Sequence, residues 1–271
     1  DDIDNIKNEL KEKIEQELAI GMNAAPIVAD TEEELNDVYA GREVKSQKSE
    51  VRIVDNSKDP LDSRLLTHDL RLIDAIKQGL HQSMEAHDNL ILMGQDIAEY
   101  GGAFKITDGF AAEFGKARVR NTPICESAIV GAALGLSLEG YKSMMEMQFA
   151  DFVTVGFNQI INNLAKIHYR WGQNADVVIR MPTGGGVGAG PFHSQSNEAW
   201  FVHTPGLKVV YPSTPVDAKG LLIAAINDPN PVLFFEHKAL YRSVSGPVPQ
   251  DYYEIEIGKA RHVVEGDEIS I

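Results

Sequence analysis

The hydrophobic and polar positions divide the chain into an amphipathic front part and a longer part in which helix and strand patterns alternate. In the front part, apolar residues recur every three or four positions and predict one charged helix that ends near Gly21, with a single apolar stripe of Ile3, Ile6, Leu10, Ile14 and Leu18. Residues 31–34, Thr-Glu-Glu-Glu, are typical of a capping box and predict a second helix that continues to about residue 39. Because short isolated helices cannot bury an apolar stripe, we expect both to pack against a domain or another chain.

From residue 67 onward, helix-length segments alternate with short apolar runs. The runs predict strands at residues 90–93, 118–124, 142–147, 177–180, 207–211 and 232–235. The longer segments predict helices at residues 68–86, 127–138, 149–169 and 216–227. Strands that alternate with helices in this way form parallel sheets covered on both faces, so the predicted fold class is α/β with a mainly parallel sheet and a helical appendage in front.

The same patterns predict the domain boundaries. Residues 1–40 form a helical tail, 41–66 a linker with scattered charge, 67–258 the α/β domain, and 259–271 the start of a link to a further domain. Residues 1–60 hold 16 acidic and 8 basic side chains, which separates this acidic front from the compact domain. Because residues 259–271 resemble a strand that is just beginning, we expect the sequence to be part of a longer polypeptide.

Composition narrows the class of protein. The chain has 271 residues, of which 43% are hydrophobic and 24% charged, as in ordinary globular proteins. One cysteine, Cys125, cannot form an internal disulfide and suits a reducing cytoplasm. No apolar run reaches the roughly 18 residues of a membrane span, and the acidic first residues are unlike a signal peptide. The net charge of −15 argues against nucleic acid and anionic membranes as partners.

Neither the glycine-rich run nor the histidines indicate a nucleotide or metal site by themselves. The glycine-rich run at residues 184–190 follows a predicted strand, yet no Gly-Lys-Ser/Thr follows it and Pro191 separates it from any helix. It is therefore either a phosphate-binding loop or a flexible loop that lets backbone approach a ligand or another chain. The eight histidines form no His-Glu-x-x-His motif and no Cys/His cluster, which argues against a zinc enzyme.

Three side chains remain as candidates for chemistry. Glu126 lies at a strand-to-helix junction, where it is either a helix cap or a functional carboxylate favoured by the helix dipole. His193 follows the glycine-rich run at the carboxyl end of a strand, where ligands of open α/β sheets gather, although a surface histidine is the alternative. Cys125 is either a buried structural cysteine or a nucleophile paired with His193 in a hydrolase.

Six segments, met in this order, carry a family resemblance. They are residues 122–131, TPICESAIVG, 146–152, EMQFADF, 193–196, HSQS, 205–210, PGLKVV, 217–220, DAKG, and 235–242, FEHKALYR. Together they resemble the β subunit of thiamine diphosphate-dependent 2-oxo acid dehydrogenases, the decarboxylating component of pyruvate and branched-chain complexes, over about residues 65–271. Residues 35–40, LNDVYA, resemble the end of the α subunit of the same family. The resemblance therefore implies an α–β fusion whose residues 67–258 form a transketolase-like pyrimidine-binding domain.

The resemblance also implies an activity and its residues. The family carries out the oxidative decarboxylation of a 2-oxo acid and transfers the acyl group to lipoyl-lysine of an acyltransferase, an oxidoreductase reaction with a disulfide acceptor. Glu126 matches the glutamate that hydrogen-bonds N1′ of the aminopyrimidine ring and shares its proton. Ile124 and Phe152 match residues that line the ring's pocket, and His193 matches the histidine near the thiazolium. Glu126 and His193 are therefore the implied catalytic residues.

Further ligands and partners follow from the resemblance alone. Mg²⁺ would be held mainly by an α domain that also binds the diphosphate. A possible K⁺ site matches Ala175, Val177, Val178, Ala225, Asp228 and Asn230. The implied partners are an α-like domain of the same chain, a second copy in a homodimer, and the lipoyl domain and core of dihydrolipoyl acyltransferase. These residues alone are then expected to be inactive.

Three questions stay open at this point. The oxo acid could be pyruvate or a branched-chain acid. The domain could also be a scaffold without catalysis, or belong to another transketolase-like enzyme. The scaffold reading predicts that Glu126 and His193 lie on opposite faces of the sheet.

Overall fold

The computed structural model describes residues 2–41, 52–54, 66–264 and 266–268. The predicted linker 41–66 and the last residues of the predicted C-terminal link thus lie largely outside the described residues. The chain divides into two units, Asp1–Asn36 and Asp37–Ile271. No helix in the described ranges is long and apolar enough to cross a membrane.

The first unit contains helices α1 (Asp2–Asn23) and α2 (Thr31–Asn36). Every residue of the predicted apolar stripe of α1 is more than half exposed, so no described residue of this unit covers it. The N-cap of α2 is Asp30 and not the predicted Thr31, because Asp30 Oδ1 accepts hydrogen bonds from the backbone N–H groups of Glu32 and Glu33 at 2.9 and 3.2 Å. The helix also ends three residues earlier than predicted.

The second unit is an α/β domain, as predicted. Its strands are β1 (Arg52–Val54), β2 (Thr67–Arg71), β3 (Leu90–Gly94), β4 (Val119–Asn121), β5 (Lys142–Glu146), β6 (Val177–Thr183), β7 (Lys208–Val210), β8 (Val232–His237), β9 (Ser245–Pro249) and β10 (Tyr253–Ile255). Its helices are α3 (Leu72–Ala86), α4 (Phe110–Phe114), α5 (Glu126–Leu138), α6 (Val153–Asn158), α7 (Ile167–Trp171), α8 (Pro215–Asn227) and α9 (Leu240–Ser243).

Six strands form one parallel sheet in the order β4-β3-β5-β6-β8-β7. Alternate strand residues face opposite sides, so the apolar runs feed two separate cores. One core joins Leu92, Met144 and Phe234 to α3, α4 and α8. The other joins Met145 and Phe235 to α5, α6 and α7. The prediction of a parallel sheet with helices on both faces is confirmed.

Two predicted helices were wrong in extent. The predicted helix 68–86 begins at Leu72, because Thr67–Arg71 pairs antiparallel with Ser245–Pro249 as an edge strand. The predicted helix 149–169 is broken into 3₁₀ turns at Ala150–Phe152 and Leu164–Lys166, a π turn at Gln159–Asn163, and the short helices α6 and α7. Amide side chains hydrogen-bond one another along this stretch, Asn163 Nδ2 to Gln159 Oε1 and Asn162 Nδ2 to Asn158 Oδ1.

The second unit begins before its first strand, with a segment held by side-chain hydrogen bonds. Asn230 clamps the backbone of Ala40: Ala40 N–H donates to Asn230 Oδ1 at 2.8 Å, and Asn230 Nδ2 donates to Ala40 O at 3.2 Å. Tyr39 Oη donates to the carbonyl oxygen of Leu207 at 3.1 Å. Ala40 and Asn230 are both buried, so this segment is an integral part of the α/β unit.

A buried ion cluster joins the carboxyl ends of β5, β6 and β8. Arg180 donates to both oxygens of Glu236, at 2.6 and 2.7 Å, and to Glu146 Oε2 at 2.7 Å. Tyr241 Oη also donates to Glu236 Oε2 at 2.6 Å. Burial raises the pKa of Glu146, and the charge of Glu236 adds to this effect, although Arg180 opposes it. With two carboxylates around one guanidinium, the ionised form of Glu146 is thus less favourable in the folded protein than in the unfolded chain.

We predict that Glu146→Gln gains stability relative to the wild type as pH rises. The folded pKa of Glu146 lies above its unfolded value, so the stability that protonated Glu146 provides is complete below that value and is lost as pH rises through the folded pKa. Gln resembles the protonated form and has no such loss. The measurement is the free energy of urea unfolding from about pH 5 to about pH 8.

The control is Glu139→Gln, which makes the same change of side chain at an exposed position on the loop after α5. The prediction is contradicted if the free energy of unfolding of Glu146→Gln minus that of the wild type stays constant or falls as pH rises.

Candidate functional site

The sheet has a topological switch point between its neighbouring strands β3 and β5. The chain leaves β3 toward α4 on one face and leaves β5 toward α6 on the other face. The two departing segments therefore diverge and leave a crevice at the carboxyl ends, which is where open α/β sheets bind ligands. Phe104 and Phe149, one from each segment, meet edge-to-face across it with ring centroids 5.7 Å apart.

Glu146 closes the floor of this crevice against the segment after β3. Gly102 has a φ of +76°, and a Cβ at this position would lie 2.7 Å from Glu146 Oε1. Glycine is thus required both by the backbone conformation and by the close approach. Gln148 Nε2 and Asp96 Oδ2, 3.4 Å apart, add a second contact between the two segments.

Glu126 is the first residue of α5 and lies at the same edge of the sheet. Its side chain is 6% exposed, and Oε1 accepts a hydrogen bond from Nε2 of Gln95, which directly follows β3, at 3.0 Å. Among the described residues, no donor contacts Oε2. A nearly buried carboxylate at a helix N-terminus, with one oxygen held and the other without a protein donor, can accept from or donate to a ligand atom.

Helix α6 brings the Phe152 segment against the start of α5. Gly156 lies so close that a Cβ there would be 3.6 Å from the carbonyl oxygen of Glu126 and 3.3 Å from Val130 Cγ2. Phe152 itself ends the 3₁₀ turn one helical turn earlier. The structure thus places the segments of the predicted residues Glu126 and Phe152 side by side.

His193 lies within a cluster of aromatic rings. Its imidazole is edge-on to Phe149 and Phe152, with ring centroids 4.6 and 5.5 Å apart. Phe149 and Phe152 are also edge-on to each other at 5.8 Å. His193 belongs to the loop after β6 and Glu126 to the helix after β4. Both side chains are therefore found at the carboxyl edge of the sheet.

The two residues before Glu126 face solvent. Ile124 is 83% exposed and Cys125 is a free, exposed cysteine. Cys125 is therefore not the buried cysteine that was one of the alternatives. In the described part of the chain no hydrogen bond joins Cys125 to His193, which does not favour a cysteine hydrolase. An exposed isoleucine beside the carboxylate supplies apolar surface next to the site without any described side chain covering it.

The predicted K⁺ residues lie at the opposite, amino edge of the sheet, around the turn between α8 and β8. Asp228, which carries the charge of this set, accepts from Asn230 N and Nδ2 through Oδ1, and from Lys208 Nζ at 2.6 Å through Oδ2. The carbonyl of Ala175 accepts from Val177 N–H. The ammonium of Lys208 already balances the Asp228 carboxylate, whereas the resemblance implies that backbone carbonyls of this set would hold the K⁺. K⁺ binding stays a prediction, and no step of the proposed reaction depends on it.

Three polar residues of the site were given no role of their own by the sequence. Gln95 is the donor to Glu126, and Asp151 and Lys238 are nearly buried beside the histidine cluster. Gln95 and Lys238 directly follow β3 and β8, and Asp151 lies in the 3₁₀ turn after β5. These positions are the signal that could have identified them, because parallel strands present their carboxyl ends together.

The donor set at Glu126 fits the aminopyrimidine of thiamine diphosphate better than it fits a metal. Glu126 offers one carboxylate oxygen without a protein donor in the described ranges, two residues after the exposed Ile124. In the described ranges, one group of three potential metal ligands lies within ligand distance, His81, Glu85 and Glu113, on α3 and α4, and it includes none of the predicted site residues. The open oxygen of Glu126 can thus pair with a donor or a protonatable nitrogen of a ligand.

Comparison with known proteins agrees with this geometry. The family described as transketolase, pyrimidine binding domain, matches residues 68–244. A solved split-gene transketolase, an inactive β4 tetramer, has a TM-score of 0.50 at 22% identity, covering 61% of this chain and 50% of that one. At that identity the likeness concerns the fold alone.

Sequence relatives are more specific. The chain is 49% identical over 201 residues to the 2-oxoisovalerate dehydrogenase subunit beta of Bacillus subtilis, covering 73% of this chain and 62% of the relative. It is 44% identical over 204 residues to the pyruvate dehydrogenase E1 component subunit beta of Acholeplasma laidlawii, covering 74% and 62%. The chain thus spans about three fifths of the length of these relatives. It belongs to the transketolase pyrimidine-binding domain family, as a domain of the β-subunit type found in thiamine diphosphate-dependent 2-oxo acid dehydrogenases.

Proposed function

We propose that this chain is the pyrimidine-binding part of an enzyme that oxidatively decarboxylates a 2-oxo acid and transfers the acyl group to lipoyl-lysine. The observation that carries the proposal is Glu126, a nearly buried carboxylate whose Oε1 is held by Gln95 and whose Oε2 lacks a protein donor. The β subunits with which the chain shares its sequence support the reaction class. The oxo acid is pyruvate or a branched-chain acid, since relatives of both kinds match comparably well.

In this proposal Glu126 holds and moves one proton. Gln95 orients the carboxyl group through Oε1, which leaves Oε2 as the atom that would hold a proton shared with N1′ of a bound aminopyrimidine. The low dielectric of a nearly buried site strengthens this hydrogen bond. Bound thiamine diphosphate supplies the electron sink that accepts the electron pair of the breaking carbon–carbon bond.

His193 and the aromatic residues act on the other side of the site. Phe149 and Phe152 hold the imidazole edge-on, so its nitrogens point along a restricted set of directions. We assign His193 to proton transfer toward the reacting substrate, and Phe152 and Ile124 to packing against the pyrimidine ring. Imidazole is suited to this because each of its ring nitrogens can donate or accept a proton, depending on the tautomer.

The proposal requires polypeptide beyond these residues. A diphosphate- and Mg²⁺-binding α-like domain of the same chain completes the cofactor site, a second copy completes a homodimer, and an acyltransferase with its lipoyl domain receives the acyl group. We propose a cytoplasmic enzyme with residues 1–40 as the α-like tail, 41–66 as linker, 67–258 as the pyrimidine-binding domain and 259–271 as the link onward. These residues by themselves are then inactive.

We predict that Glu126→Gln in the complete enzyme lowers decarboxylation by about 10²–10⁴-fold. The amide keeps the size and the contact to Gln95 but cannot exchange a proton with N1′. The measurement is turnover of pyruvate and of branched-chain 2-oxo acids with an artificial electron acceptor, together with circular dichroism of the fold.

The control for this variant is Glu139→Gln, at the other end of α5, which changes the same group outside the site. Near-normal turnover of Glu126→Gln removes the glutamate from its role. A complete enzyme that decarboxylates none of these acids favours the scaffold reading.

We predict that Gln95→Met destabilises the chain by about 1–3 kcal/mol at neutral pH, because a buried carboxylate oxygen loses its protein donor. Met has a similar length and cannot donate. The measurement is the free energy of urea unfolding, and turnover should also fall in the complete enzyme.

Gln148→Met is the matched control, since Gln148 makes only a long, exposed contact to Asp96. Equal losses in the two variants contradict a special role for the Gln95 donor.

A further inference from the structure

The loop that carries His193 is held by one buried carboxylate. Asp151 is 6% exposed, and its Oδ1 accepts hydrogen bonds from the backbone N–H groups of Ser194 and Gln195, both at 3.0 Å. Hydrogen bonds to an ionised acceptor are about twice as strong as neutral ones. An ionised Asp151 therefore fixes the two peptide groups that directly follow the histidine.

Hydrogen bonds attach the loop to the end of a strand after His193, but in the described ranges none does so before it. After the histidine, the carbonyl of Gln195 accepts from Gly184 N–H at 2.9 Å and from Thr183 Oγ1 at 3.0 Å, so the loop is attached to the end of β6. Before the histidine, Gly188 and Gly190 have positive φ and no neighbour within 4 Å of a Cβ position. The hydrogen bonds on that side stay within the loop, from His193 N–H to Gly190 O at 3.3 Å and from Gln195 Nε2 to Pro191 O at 3.2 Å. Asp151 is thus a side chain from outside the loop that holds the peptide groups next to His193.

A buried lysine lies beside this anchor. Lys238, which follows β8, is 4% exposed, and its Nζ is buried without a hydrogen-bond partner in the described ranges. Nζ lies 5.5 Å from the ring centroid of Phe149, the ring that His193 meets edge-on. Lys238 is therefore a cation inside the histidine cluster with no acceptor of its own.

Electrostatics connects the lysine to Asp151. Burial lowers the pKa of Lys238, and the negative charge of Asp151 opposes this by raising it. Asp151 Oδ2 is likewise buried without a donor, and no direct ion pair joins the two side chains among the described residues. Buried charges persist when an opposite charge is near. Lys238 and Asp151 thus each hold a buried polar atom without a protein partner in the described ranges, and their opposite charges attract each other.

We propose that Asp151 is a positioning residue for His193 through its hydrogen bonds to the loop, and that the buried ammonium of Lys238 supports the Asp151 carboxylate as its counter-charge. Loss of either charge weakens the hydrogen bonds to Ser194 and Gln195, and the imidazole leaves its place between Phe149 and Phe152. The relevance to catalysis rests on the proposed function of His193, but the positional claim does not.

The test measures the position of His193 by NMR in the full chain with ¹³C-labelled histidine. Phe149 and Phe152 shift the ring C–H signals of His193, which a His193→Gln variant identifies. We expect Asp151→Asn and Lys238→Met each to remove most of this ring-current shift, Lys238→Arg to retain it, and the double variant to lose no more than the larger single effect. The exposed Lys166→Met is the matched control.

His81 provides an internal reference, because it is also edge-on to two phenylalanine rings, Phe110 and Phe114, at 5.5 and 5.2 Å. Its signals should stay unchanged in every folded variant. An unmoved His193 signal in Asp151→Asn overturns the proposal, and an unmoved signal in Lys238→Met overturns the role of the lysine. If Lys238→Met does not fold, Lys238→Gln replaces it and the same comparison decides.

In the complete enzyme, Asp151→Asn and Lys238→Met should lower kcat up to about 10²-fold with little change in KM, and Lys238→Arg should restore most of it. A rise in KM at constant kcat contradicts a positioning role. Absence of turnover in the wild-type enzyme defeats the proposed function and leaves the NMR result standing, so the two failures are distinguishable.

Discussion

The contact of Arg180 with Glu146 and Glu236 is the constraint on which the site depends. It lies where β5, β6 and β8 end, and the segments that carry Phe149, Asp151, His193 and Lys238 all leave the sheet within a few residues of it. A bidentate guanidinium–carboxylate pair has one favourable geometry, so it fixes how the three strand ends stand relative to one another. Removing Arg180 would leave the buried carboxylate of Glu236 uncompensated.

Beside this ion cluster, the site is built from segments that are far apart in the sequence. The carboxylate comes from the helix after β4, its hydrogen-bond donor from the end of β3, the rings from the segment after β5, and the histidine from the loop after β6. Each piece is short and anchored at a strand end. Functional groups on loops held by a rigid scaffold combine fixed positions with freedom to vary in sequence. A parallel sheet supplies this arrangement directly, because all its carboxyl ends share one edge.

The sheet and its two cores could be predicted because buried parallel strands appear as apolar runs such as residues 90–93 and 232–235. The start of α3 could not, since Thr67–Arg71 becomes a strand only through pairing with residues 245–249. Glu126 and His193 were identifiable from their positions next to strands and from family resemblance. Gln95 and Lys238 were not, because hydrogen bonding across strands and burial of a lysine arise only in the folded chain.

The clamp between Asn230 and Ala40 shows that the boundary of a family match and the boundary of a folded body differ here. Similarity to the pyrimidine-binding domain begins at residue 68, yet the body itself begins at residue 37. A shortened protein that starts at the similarity limit would open the amide of Asn230, with Asp228 and Lys208 beside it, to water. Tyr39 and Ala40, the last residues of the segment that resembles the end of an α subunit, are thus held by hydrogen bonds within the α/β unit.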